Sequence, residues 1–188
     1  MSALSKHHQE EPQSLTLAFR RAAQGDMPRI MEIFRSSFEG QVPPEQYKNY
    51  YFTFAQMIEN PKYHFNVASL NKKMVGFSIV DNVRERNAAI LDVIGVDPTV
   101  QGQGLGKALL QEAEKAAANF HKPKLKLEVR ENNTSAIGFY KKQGYHPVKV
   151  IKNYYMWDGI NAIVMEKQVA TAAQDNTKKP SRLPFFRR

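Results

Sequence analysis

Three glycines alternate at positions 102, 104 and 106 in Gln101-Gly-Gln-Gly-Leu-Gly-Lys107, between an apolar run over residues 89–96 and an amphipathic stretch that begins at once. Few features restrict a fold more. Glycines let successive amides turn toward one point, and the N-terminus of a following helix adds partial positive charge. Strand, glycine loop and helix in that order form a cradle for a phosphate or pyrophosphate. A turn that merely needs glycine would also show alternate glycines, but Asp97-Pro98 upstream and Leu109-Leu110 downstream narrow the choice. The dinucleotide pattern fails because Lys107 or Leu109 occupies its last glycine position, and the P-loop pattern fails because no Gly-Lys-Ser/Thr follows.

Around this loop the chain reads as one domain. Residues 15–19 alternate as a first strand, and Asp26 with Pro28 predicts the start of a helix carrying Ile30, Ile33 and Phe34 on one side. Pro43-Pro44 marks a loop before a helix over 45–59 that is dense in rings (Tyr47, Tyr50, Tyr51, Phe52, Phe54), which read as core for the most part. Strands over 65–70 and 74–80 flank the polar turn 71–73, with Gly76 marking a bulge or a close backbone approach. Residues 81–87 form a charged turn, 88–96 the central strand, 105–120 a long helix and 125–129 the next strand. A short helix over 135–143 is capped by Asn133 or Thr134 and stopped by Gly144. Strands at 148–152 and 162–166 flank a loop over 154–159. This order predicts an α/β sandwich: a mixed, mostly antiparallel sheet with helices on both faces. Its one parallel pair flanks the long helix through a right-handed crossover.

The loop resembles the acetyl-CoA loop of the GNAT superfamily of N-acetyltransferases, whose signature is Gln/Arg-x-x-Gly-x-Gly/Ala. A second region agrees independently. Leu127-Glu-Val-Arg-Glu-Asn-Asn133, Ala136-Ile-Gly-Phe-Tyr140, Asn153-Tyr-Tyr155 and Asp158-Gly159 resemble the ribosomal-protein alanine N-acetyltransferases and their N-terminal acetyltransferase relatives. The resemblance spans roughly residues 15–167, with its motifs in 91–110 and 127–165. It implies the GNAT acyl-CoA N-acyltransferase fold and acetyl-CoA as donor. Acetyl transfer to an amine needs a base to free the attacking lone pair, a polarised carbonyl and an acid for the leaving thiolate. Glu128 matches the family's catalytic glutamate, with Asp92 on the neighbouring strand as rival base, and Tyr140 matches the general acid. The family's cofactor contacts fall on Ile94, Gly95, Val96, Gln101, Gly102, Gln103, Gly104, Leu105, Gly106, Lys107, Asn133 and Tyr140. Arg130 and Lys107 are candidates for a cofactor phosphate or are solvated charges. Tyr154 and Tyr155 match a pair that grips an acceptor's N-terminal backbone, or else pack the hairpin. The relatives usually continue Asp-Gly with Glu-Asp, where this chain has Ile160-Asn161; Trp157 is an addition without a counterpart.

The expected reaction is direct acetyl transfer to a protein N-terminal α-amine, a ribosomal protein being the leading acceptor. Transfer to a lysine or small amine is the alternative. A non-catalytic acyl-CoA-binding or RNA-associated module is the alternative of another class. With no cysteine, disulfides and cysteine-based zinc sites are excluded, and histidines 7, 8, 64, 121 and 146 show no ligand spacing beyond the adjacent pair at 7 and 8, so no metal is expected. No apolar run is long enough to span a bilayer, and a cytoplasmic location with no membrane contact is expected. The domain is expected over 15–167, after a flexible segment 1–14 and before a basic, flexible tail 168–188. The tail holds five basic residues against the single acid Asp175. Such a tail is either a solvated end or a nucleic-acid arm, and its apolar Leu183-Pro-Phe-Phe186 suits docking.

Overall fold

The computed structural model describes residues 16–169. The expectations for segment 1–14 and for most of the tail, including nucleic-acid contact through it, lie outside the described residues. Eleven elements follow in the order read from the sequence: β1 (Leu17–Arg21), α1 (Met27–Ser37), α2 (Tyr47–Glu59), β2 (Tyr63–Leu70), β3 (Lys73–Asp81), β4 (Ala89–Val96), α3 (Leu105–Asn119), β5 (Lys124–Arg130), α4 (Thr134–Lys142), β6 (His146–Tyr155) and β7 (Ile160–Gln168). They form a seven-stranded sheet ordered β1-β2-β3-β4-β5-β7-β6. Every neighbouring pair is antiparallel except β4 with β5.

Both sheet faces are covered, as the apolar pattern requires. Phe65, Val67, Phe77 and Ile79 meet Ile30, Phe34, Phe54 and Ile58 of α1 and α2 on one face. On the other, Leu110, Ala113, Ala116 and Ala117 of α3 pack on Val80, Leu91, Leu125 and Leu127. The β2–β3 turn places both Asn71 and Lys72 at positive φ, as a tight hairpin turn of matching twist demands. Gly76 shows both features expected of it. It follows a register shift, and a Cβ there would stand 2.8 Å from the Gly95 carbonyl oxygen and from Leu109.

The feature that positions the site is a partial strand pairing. β4 and β5 are partnered over three positions only, from Ala89–Leu125 to Leu91–Leu127. Immediately beyond, β3 opposes Leu91 with Val80 and Val93 with Ile79, which leaves Asp92 as an extra residue in β4. Such a bulge bends and over-twists its strand. The strands part there, and residues 93–96 of β4 keep a partner on the β3 side alone.

Several boundaries differ from the sequence reading. The first strand starts at Leu17 and runs to Arg21 rather than over 15–19. Asp26 does not cap α1 with its side chain; it accepts instead from the Ala23 amide and pairs with Arg20. Tyr154 and Tyr155 end β6 rather than lying in a loop. Strand β7 reaches Gln168 and Val169 joins the core, two residues past the expected domain limit of 167. Among the described residues no helix is long and apolar enough to cross a membrane, and no cluster of three or more His, Asp or Glu side chains could hold a metal.

Candidate active site

A cavity of about 860 Å³ opens where β4 and β5 part, and it runs from the glycine loop to the β6–β7 hairpin. Its two ends are built differently.

At one end the wall is backbone. Asp97 follows β4 and is fixed in place: it accepts from the Thr99 amide at 2.9 Å and hydroxyl at 2.7 Å, and it pairs with Arg29 of α1. These bonds hold its carboxyl below the usual carboxylate range despite burial. Gln101 reaches back to the Val96 carbonyl at 3.2 Å. Gly102 and Gly104 then take φ of +81° and +79°, where a side chain is strained. The first i→i−4 bond of α3 runs from the Ala108 amide to the Gly104 carbonyl at 3.0 Å. The amides ahead of Ala108 therefore lack intrahelical acceptors and face the cavity end with the positive pole of the helix dipole. Asn133 lies across the gap, where its side chain accepts the Ala136 amide at 3.0 Å and so caps α4.

At the other end the wall is side chains. Asp92 from β4 and Glu128 from β5 face each other across the parting strands, with Arg84 from the β3–β4 turn against both. Its guanidinium pairs with Asp92 and stands 3.4 Å from each Glu128 oxygen. Asp81 anchors that turn by accepting the Val83 and Arg84 amides at 2.6 and 3.1 Å. Burial pushes the Asp92 carboxyl up to about 7 against the pull of Arg84, and it raises Glu128 in the same way. The second oxygen of Asp92 is buried with no hydrogen-bond partner. Tyr140 is only 8% exposed, and burial raises its hydroxyl far enough to keep it protonated at any physiological pH.

Of the residues singled out in the sequence, the cavity brings together Ile94, Val96, Gln101, Gly102, Gly104, Leu105, Gly106, Lys107, Glu128, Asn133, Tyr140, Tyr154 and Tyr155. Gly95 and Gln103 are not in its lining. Gly95 is needed on the opposite side, where a Cβ would meet the Phe77 ring at 2.7 Å. Arg130 lines the cavity as well: it is 7% exposed, pairs with Asp158, lies 4.4 Å from the centre of the Tyr155 ring and keeps one buried guanidinium nitrogen without a hydrogen-bond partner. It holds the hairpin turn in place. Asp92 belongs to the cavity as fully as Glu128 does.

Two contributors, Arg84 and Trp157, have no role in the sequence reading. Arg84 is separated from Asp92 by eight residues and from Glu128 by 44, so no local spacing exposes it. Tyr50 and Phe54 line the cavity from α2, whereas Tyr51 and Phe52 of the same helix are exposed rather than packed. Trp157 donates its indole N–H to the Gln41 carbonyl at 3.0 Å, tying the β6–β7 turn to the loop between α1 and α2. It thereby forms the rim at the side-chain end.

Comparison with known proteins gives this arrangement a context. The acetyltransferase (GNAT) family matches residues 27–145. A Bacillus subtilis (strain 168) protein, provisionally named a ribosomal protein bS18-alanine N-acetyltransferase, is 30% identical over 152 residues, which is 79% of this chain and 93% of that one. An N-alpha-acetyltransferase of Sulfolobus acidocaldarius is 30% identical over 169 residues, covering 84% of this chain and 95% of its own length. The crystal structure of the ribosomal-protein-S18-alanine N-acetyltransferase from Escherichia coli is similar with a TM-score of 0.69 and 27% identity, across 90% of this chain and 100% of that one.

Proposed function

The chain belongs to the GNAT acetyltransferase family, and from that premise we propose that it moves the acetyl group of acetyl-CoA onto the N-terminal α-amine of a protein. One observation carries the proposal: a single cavity joins an anion cradle and an open strand edge to a buried pair of carboxylates. The names of relatives, which acetylate N-termini or ribosomal protein bS18 alanine, support the same acceptor.

The cradle fits the donor. Free amides of 102–107 suit the pyrophosphate, and the unpartnered edge of 92–96 suits an amide-bearing arm laid along it as an added strand would be. Asn133 is placed to meet the same arm. When bound there, acetyl-CoA supplies an activated acetyl thioester.

The chain's own residues supply the rest. An α-amine has a pKa near ~8, so its deprotonation near neutrality is a modest task. Glu128 takes that proton through a water, its raised basicity matching the task better than an ordinary carboxylate would. Tyr140 holds a proton at its hydroxyl and offers it to the departing sulfur. Tyr154 and Tyr155 flank the acceptor's first backbone units. A ribosomal protein is the favoured acceptor. The domain proper is 15–167, extended by the end of β7, and the basic segment beyond is proposed as an arm toward an RNA-rich setting.

The test is a CoA-release assay with acetyl-CoA and peptides beginning with Ala, Ser, Met or Gly, free or blocked, beside an internal-lysine peptide and spermidine. Turnover that requires a free α-amine is the expected result. Turnover on lysine or polyamine alone would replace the acceptor and leave the transferase standing.

A further inference from the structure

Two carboxylates from adjacent strands do not ordinarily ionise together at close range, because like charges in a partly dry site share one proton. Asp92 and Glu128 are such a pair, with side chains 10% and 15% exposed. The bulge aims Asp92 into the gap, and the strand separation leaves Glu128 opposite. Among the described residues Arg84 is the one cation bonded to both, and the Asp81 anchor fixes the turn that delivers it. We propose that Arg84 is a positioning residue that holds Asp92 and Glu128 side by side and eases the ionisation of both, so that they act on the acceptor amine as one proton-accepting pair.

The chemistry balances simply. One proton leaves the acceptor nitrogen for a carboxylate oxygen of the pair, and the nitrogen keeps its electron pair for attack. The unpartnered Asp92 oxygen gives that proton a second place to rest beyond Glu128. A guanidinium beside the amine also disfavours the ammonium form, which eases the same transfer. The other charged and titratable groups facing the pair are accounted for. Asp81 comes from β3, Tyr63 from β2, Tyr154 and Tyr155 from β6, and Glu85 from the β3–β4 turn, where Lys126 of β5 pairs with it at 2.7 Å. The acidic ones oppose ionisation of the pair, so the burden falls on Arg84.

This inference rests on the proposed amine acetylation, and the experiment separates the two. In the full-length protein, kcat/KM for a free-N-terminus peptide is followed from pH 6 to 9.5 in wild type, Arg84→Gln and Arg84→Lys. The acceptor amine titrates identically in all three. In Arg84→Gln the acid limb moves up by about one unit, a loss of about tenfold below it, and the rates converge at high pH. Arg84→Lys keeps the limb near its original place. An equal fall at every pH, or an unshifted limb, overturns the proposal. A ¹³C-carboxyl NMR titration of Asp92 and Glu128 runs without turnover. One carboxyl must titrate higher in Arg84→Gln than in wild type, and unchanged titrations also overturn it. If the wild type acetylates no α-amine, the function fails while the NMR result still judges Arg84.

Discussion

The two ends of the cavity reach their purposes by opposite means. The glycine-loop end is contiguous: residues 97–107 supply nearly everything from backbone amides, positive-φ glycines and one helix dipole. The hairpin end is assembled from α2, the β3–β4 turn, β4, β5, β6 and the turn after it, each giving one or two side chains. A site made of backbone must keep its shape and tolerates changes of side chain. A site made of side chains tolerates little change in the chemistry of those it uses.

The largest test of that contrast is Glu128→Gln, which should cost about 10²-fold or more in kcat while acetyl-CoA binding, followed by calorimetry, stays as it was. Equal damage to binding would mean that the two ends are not separable. At the other end Gly104→Val forces a β-branched residue to φ +79°, and KM for acetyl-CoA should rise about tenfold. The neighbouring Gln103→Ala removes only a side chain and should leave that KM within about twofold; a larger rise would break the backbone-only description. Tyr140→Phe should lower kcat by about tenfold or less, since a thiolate leaves tolerably well unaided. Trp157→Ala should raise KM for the peptide about threefold, the worth of one hydrogen bond, and spare KM for acetyl-CoA.

The contrast also has a thermodynamic side. The Asp92 carboxyl titrates near 7 in the fold and near ~3.9 when unfolded. Between those values the folded state holds the extra proton. The associated stability is full below about pH 4 and is lost as pH rises through about 7. Above pH 7.5 the ionised Asp92 is a burden on the fold, and Asp92→Asn should melt about 3 °C higher than wild type there, with the gap closing toward pH 4. Calorimetric scans at pH 4.5 and 8.5 measure it; a lower melting temperature at pH 8.5 would refute it. At the glycine end Asp97 has the opposite sign. Its lowered carboxyl contributes stability present above pH ~4, which is lost as pH falls through its folded pKa.

The same division explains what could be read in advance. Element order, the glycine loop and the Asn133 cap depend on residues within a few positions of one another, and each is where the spacing places it. The bulge at Asp92 depends on how β3 registers with β4, which no local pattern encodes, and without it neither the parting of the strands nor the facing carboxylates can be foreseen. Arg84 looked like one more charge in a polar turn because its partners are brought to it by the sheet. Strand β6 read as ending at 152 for an understandable reason: Asn153 sits at φ +51° and the ladder to β7 is irregular between Ile151 and Tyr155. The pairing resumes at Tyr155, opposite Ile160, too briefly to leave an alternating pattern.

Trp157 is the chain's one tryptophan, a residue 42% exposed. The protein therefore carries a built-in optical probe at the seam between the hairpin and the loop at Gln41. An acceptor laid across that seam dries the ring and shifts its emission toward the blue, whereas a ligand confined to the glycine loop leaves the spectrum alone. Arrival of a ligand at the hairpin end can thus be followed, unlabelled, before any product has formed.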